Sequence, residues 1–222
     1  MKKLLAILLA ALLLLSAVAC SNSGEAEETT AETEATAADT TASETEAAAA
    51  ETEAETAAPK KRDQYNSIAI NDGGDHSPIS LANGTDSAAV RFVVTEGYIE
   101  YANASCPSWS DDIGNLTFKL FKWDTDYATT VAGTPVAEQT FENYSDNATL
   151  EITFNDDGYG IEAGEYLLWL GDGVDESGSG VGFWAGACNT NEEAIVEYYY
   201  NGAVTTGNYA FEGEISIIIP AE

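Results

Sequence analysis

Leu116-Thr117-Phe118-Lys119-Leu120 alternates apolar and polar side chains residue by residue. Period two is the spacing of a half-buried β-strand, whose successive side chains point to opposite faces, so Leu116, Phe118 and Leu120 share one face. Leu150-Glu151-Ile152-Thr153-Phe154 and Ile215-Ser216-Ile217 repeat the pattern. Similar short runs occupy 67–70, 88–94, 98–102, 135–141, 164–170, 181–185 and 195–200, and no stretch shows a convincing helical period. Between the runs lie clusters such as Asn71-Asp72-Gly73-Gly74-Asp75, Asn155-Asp156-Asp157-Gly158 and Gly171-Asp172-Gly173, whose residues tolerate tight or left-handed turns. Many short strands separated by turns predict an all-β domain over 63–222, built as an antiparallel β-sandwich. A jelly roll is the favoured arrangement, ahead of an immunoglobulin-like sandwich and a closed barrel.

Toward the N-terminus the composition changes abruptly. Residues 21–62 are dominated by Glu, Thr, Ala and Ser, with neither an aromatic nor a basic side chain before Lys60. Such a segment buries too little apolar surface to offset its conformational entropy, which predicts a disordered acidic tether. A flexible chain of this size spans roughly 35 Å root-mean-square, and its own charge extends it. Residues 1–20 open with Met1-Lys2-Lys3 and continue as a small, apolar run over 4–18, the pattern of a secretory signal. The run is shorter than the roughly 20 apolar residues that a helix needs to span a bilayer. Its end, Ala17-Val18-Ala19-Cys20, resembles the bacterial lipobox, which implies that Cys20 becomes a diacylated N-terminus. Ala17 stands where that motif usually has Leu, so cleavage at a nearby A-x-A site is the alternative. Two acyl chains suffice for stable anchoring. The expected location is the extracellular face of the cell membrane, with the membrane contacted through the lipid.

The formal net charge is −30, and 63–222 contributes only Arg91, Lys119 and Lys122 as cations. Phosphate recognition depends on Lys and Arg releasing counterions, so nucleic acid is excluded as an expected partner. Cys106 and Cys188 are the cysteines of this region, and outside the membrane a pair reads either as a disulfide or as two packed thiols. His76 is the single histidine and sits in a Gly-rich loop, so no nucleophile and base pairing emerges, and the domain reads as non-catalytic. Acidic loops at Asp111-Asp112, Asp124-Thr125-Asp126, Asp156-Asp157 and 172–176 offer oxygen ligands of the kind calcium takes, with Asp124 and Asp126 the leading pair for a structural ion. None completes an EF-hand loop, and Asx side chains that form turns produce the same letters.

Aromatic residues carry more information. Sugar rings offer apolar faces that stack on flat side chains, while their hydroxyls bond to nearby acids and amides. Trp109 lies in the loop-like stretch Pro107-Ser108-Trp109-Ser110-Asp111-Asp112, where it either stacks on a ligand or folds back onto the core. Parity puts Trp123 on the face opposite Leu116, Phe118 and Leu120, while Trp169, sharing its side with Leu167, reads as core. Trp184 follows Gly182, and Tyr198-Tyr199-Tyr200 must expose at least one ring if it is a strand, with Tyr199 or Tyr200 the candidate. The expected stacking set is Trp109, Trp123, Tyr127 and Trp184 on one exposed surface, with Asp111 and Asp112 bonding the hydroxyls.

Taken together, Pro107-Ser108-Trp109, then Gly114-Asn115-Leu116-Thr117-Phe118-Lys119-Leu120-Phe121-Lys122-Trp123-Asp124-Thr125-Asp126-Tyr127, then Gly164-Glu165-Tyr166-Leu167-Leu168-Trp169 resembles carbohydrate-binding-like β-sandwich accessory modules of secreted Gram-positive glycoside hydrolases. The resemblance covers roughly 67–185. It implies an accessory role in holding polysaccharide or cell-surface glycan, without catalysis. The competing expectations are an adhesive module that contacts another protein and, behind it, a glycan-active enzyme.

Overall fold

The computed structural model describes residues 62–221 except 111, 156–157 and 176–179. The signal segment, Cys20, the tether up to 61, and Asp111 lie outside the described residues. The domain is all-β and its strand pairs are antiparallel. In chain order the elements are β1 (Gln64–Ala69), β2 (Ser77–Ser80), β3 (Ala88–Cys106), β4 (Asn115–Lys122), α1 (Tyr127–Val131), β5 (Ala137–Glu142) and β6 (Ala148–Thr153). There follow β7 (Ile161–Val174), β8 (Gly182–Gly186), β9 (Ile195–Tyr200), β10 (Ala203–Thr205), β11 (Ala210–Phe211) and β12 (Glu214–Ile219).

The larger sheet follows the order β1-β12-β3-β7-β4-β5, with β6 and the β9–β10 hairpin also joined to β3; a smaller sheet runs β11-β8-β2. β3 is long enough to change partners along its length. Its first residues, from Ala88, lie between β7 and β9, and its last, to Cys106, lie between β12 and β6. The two runs read from sequence at 88–94 and 98–102 are the halves of this one strand, joined through a register shift between Val94 and Tyr98.

The alternation in β4 behaves as its period requires: Leu116, Phe118 and Leu120 are fully buried. They join Val90 and Phe92 of β3, Leu168 and Leu170 of β7, and Phe183 and Phe211 of the smaller sheet in one core. The opposite face of the larger sheet is not simply wet. The pairing register lines up Tyr199, Ala89, Trp169 and Lys119 in one row across β9-β3-β7-β4, and Glu197, Arg91, Leu167 and Phe121 in the next. Ala89, Phe121, Leu167 and Tyr199 are buried there as a second apolar cluster, covered by Trp123, Tyr127, Val131 and Trp169.

Much of that cover is α1, five residues too short to show a helical period in sequence. Asp126 starts it, its side chain accepting a hydrogen bond from Thr129 N at 2.8 Å. The cover removes Tyr199 as the exposed ring of the tyrosine run: Tyr198 and Tyr199 are buried, and Tyr200 is half-buried with its ring stacked on Tyr209 at 4.5 Å.

Cys106 and Cys188 are free thiols, which corrects the disulfide alternative. Gly182 at the start of β8 donates to Pro107 O, next to Cys106, whereas Cys188 lies beyond the other end of that strand. Six residues of extended chain separate the two by on the order of 20 Å, against a Cα separation under about 7 Å for a disulfide. Cys106 is fully buried, and burial pushes its thiol well above the ordinary range. A thiol reagent should therefore label Cys188 in the native protein and Cys106 only after unfolding, as peptide mapping would show. Reductant should leave the melting temperature unchanged; a clear drop on reduction would restore the disulfide.

Candidate functional site

The expected aromatic set divides into two places. Trp109 and Trp184 share a shallow cavity of about 210 Å³ with Pro78, Pro107, Asp146 and Asn147. Trp123 and Tyr127 lie instead on the outer face of the larger sheet.

The loop that carries Trp109 is unusual in its backbone. Trp109, Ser110 and Asp112 have φ of 52°, 69° and 54°, in the left-handed region that non-glycine residues enter at a cost. Asp146 holds the loop there. Its carboxylate accepts from Ser108 N at 2.8 Å and Ser110 Oγ at 3.1 Å, while its own N–H donates to Asp112 Oδ1 at 2.9 Å. Burial works to raise the Asp146 carboxyl, but the hydrogen bonds from Ser108, Ser110 and Asn147 outweigh it and hold it below its ordinary value. Thus Asp112, one of the expected hydroxyl binders, fastens the loop.

Asn147 links this loop to the smaller sheet. Its Nδ2 donates to Asp146 Oδ2 at 3.0 Å and its Oδ1 accepts from Trp184 Nε1 at 2.8 Å. Trp184 sits on β8 opposite Pro78 of β2, and the His76 ring meets it edge-on with centroids 5.0 Å apart. Trp109 leans against Gly180, where an added Cβ would come within 3.1 Å of Cε3. One side of the indole is thereby supported, and the residue remains 36% exposed. The result is a notch with two positioned indoles and polar groups between them.

On the outer sheet face the aromatics are more enclosed. Arg91 Cζ lies 4.0 Å from the centre of the Trp123 ring, and Arg91 bonds Glu165 through Nε at 2.6 Å and Glu197 through Nη1 at 3.1 Å. The Tyr199 hydroxyl also donates to Glu197. Tyr127 packs on Tyr199 with centroids 4.7 Å apart and against Gly202, so its ring is a support in this cluster.

Asp124 and Asp126 lie at the start of α1. Asp124 N donates to Thr130 Oγ1 at 3.0 Å and Asp124 Oδ1 accepts from Thr125 Oγ1 at 3.0 Å, while Asp126 caps α1. The backbone hydrogen bond from Thr129 holds the Asp126 carboxyl below its ordinary value. Asp172 is ion-paired with Lys119 at 2.6 Å. Among the described residues, no group of three or more His, Cys, Asp or Glu side chains gathers in a metal-binding arrangement.

No protein-family model matches the chain, and no curated protein matches it significantly. Sequence reasoning missed Asp146, Asn147, Pro78 and His76 around the notch, because each stands in a stretch of ordinary turn composition. It also missed Lys119, Asp172 and Asn201 beside Trp169, which was read as core because Leu167 shares its side and which pairing with β4 instead sets beside Lys119 on the outer face, half-buried.

Proposed function

We propose that the chain is a cell-surface lipoprotein, anchored through Cys20, whose domain is a jelly-roll-like β-sandwich that binds neutral carbohydrate in the Trp109–Trp184 notch without catalysis. The observation that carries this reading is the meeting of two supported, partly exposed indoles with Asp146, Asn147 and Ser110 in one concavity. A sugar ring stacks its apolar face on an indole, and its hydroxyls reach acids and amides at the indole edges. Hydrogen bonds within the protein hold Trp109 and its neighbours in the left-handed region, which lowers the ordering cost of binding. The acidity of the chain, −30 overall, favours neutral over anionic glycans.

The test is affinity electrophoresis of the protein in detergent through gels containing xylan, β-glucan or galactomannan. At least one polysaccharide should retard it. Trp109→Ala and Trp184→Ala should each weaken that retention about tenfold, the loss of one stacked aromatic at about 1–1.5 kcal/mol. Unretarded migration in every gel, or tryptophan variants that bind as the parent does, would favour a protein-contact role instead.

A further inference from the structure

We infer that the outer face of the larger sheet carries a second carbohydrate site, centred on Trp169 and completed by Lys119, Asp172 and Tyr127. It shares with the notch reading only the class of ligand.

Trp169 lies on that face because its place in β7 is out of phase with Leu168 and Leu170, which fill the core. Its six-membered ring covers Gly171, where any side chain would overlap the indole. A glycine inside a strand often marks a close approach by another group, and here that group is the tryptophan itself. Its indole N–H donates to Tyr127 Oη at 3.2 Å, and Tyr127 is braced in turn by Gly202, where an added Cβ would meet its ring at 3.1 Å. The ring is therefore fixed in position and orientation.

Above it lies an open cavity of about 370 Å³, within the range of small-ligand sites. Phe121, Val131 and Trp169 give it an apolar floor, and Thr85, Asp172 and Asn201 contribute polar walls. The group set against Trp169 is polar and faces the cavity. Lys119 Nζ stands 4.9 Å from the ring centre and bonds Asp172 Oδ2 at 2.6 Å. A donor and an acceptor at hydrogen-bond spacing beside an indole match two vicinal hydroxyls of a sugar, one accepting from the ammonium and the other donating to the carboxylate. Glu138 stands 3.7 Å from the same ammonium, so Lys119 is already neutralised and an anionic ligand gains nothing from it. The ligand is thus a neutral sugar with vicinal hydroxyls.

Two sites on separate surfaces let one chain grip a polysaccharide twice or bridge two strands, with a gain in avidity. The experiment uses the full chain in detergent, titrated calorimetrically with xylo-, gluco- and mannohexaose and run through the corresponding polysaccharide gels. Four proteins are compared: the parent, a Trp109→Ala/Trp184→Ala variant, Asp172→Asn, and Lys119→Met. Asp172 and Lys119 are used because Trp169→Ala endangers the apolar cluster beneath it; unchanged melting temperatures check the fold. The parent should bind two hexasaccharides. The notch variant should keep one, and Asp172→Asn or Lys119→Met should weaken one of the parent's two sites about tenfold or more. If the notch variant loses all binding, the second site is overturned and the notch reading stands. If it keeps all binding while Asp172→Asn and Lys119→Met lose it, the second site stands and the notch reading falls. Absence of binding by the parent to any probe overturns both.

Discussion

Gly97→Ala is expected to destabilise the domain by about 3 kcal/mol, a large share of the 5–15 kcal/mol typical of native proteins. Gly97 occupies the register shift where β3 passes from one set of partners to the other. Its φ is +82°, and a Cβ there would run into the carbonyl oxygen of Ile218 and come within 3.0 Å of Ile219 Cγ1. Two costs therefore combine. Holding alanine in the left-handed region takes about 1–2 kcal/mol. Relieving the overlap takes more, because Ile218 is registered against Tyr98 of β3 and cannot retreat without loosening β12. Gly73→Ala separates the two costs, since Gly73 also has a positive φ of +74° but nothing within 4 Å of its missing Cβ. That variant should lose only about 1 kcal/mol. Urea unfolding followed by tryptophan fluorescence measures both. Equal losses for the two variants would show that the approach of Ile218 is not what makes Gly97 necessary.

The same strand shows what was legible in the sequence and what was not. Period-two alternation located both halves of β3, because side-chain parity is a local property. Their union was hidden, since the alternation lapses at Thr95-Glu96-Gly97 and pairing to β12 lies beyond local parity. Parity also placed Leu116, Phe118 and Leu120 in the core and Trp123 away from it. What parity cannot supply is strand order. Trp169, Lys119, Ala89 and Tyr199 become one row only through the sequence β9-β3-β7-β4, and nothing local to any of the four announces the others. Tyr199 stood beside Tyr200 as a candidate exposed ring for this reason: its face is outward, but α1 and Trp123 cover it. Trp109 and Trp184 were both chosen as candidates from sequence, yet their meeting depends on Gly182 bonding Pro107. Tyr127 was chosen as a stacking residue, and its hydroxyl accepts from the indole of Trp169. The Asp letters carried the least information, because Asp126 as a helix cap, Asp146 as a loop fastener and a calcium ligand all look alike before the fold is known.

Arg91→Met should destabilise the domain by about 2 kcal/mol at pH 7, with a deficit that shrinks as the pH falls. Arg91 stands between Glu165 and Glu197, with 22% of its side chain exposed, and Trp123 lies across its guanidinium. Burial alone would weaken its charge, but hydrogen bonds and attraction from the two carboxylates more than offset that and raise its affinity for the proton. Methionine keeps most of the packing under Trp123 while removing the cation that both carboxylates share. The two acids then face each other across a partly dry surface, where losing one partner of an ion pair costs several kcal/mol if fully buried and less here. The sign of the pH effect follows from proton binding. Protonating either acid relieves their repulsion, and only the folded state holds the two together, so the variant's deficit is full while both are charged. Its deficit relative to the parent is therefore full at neutral pH and relieved as the pH falls toward the carboxylate range. Adding Glu197→Gln to Arg91→Met should recover part of the loss at pH 7, because the amide oxygen can still accept from the Tyr199 hydroxyl without carrying charge. A deficit that stays constant between pH 7 and about 4.5 would mean that Arg91 contributes through packing on Trp123 rather than by neutralising the pair.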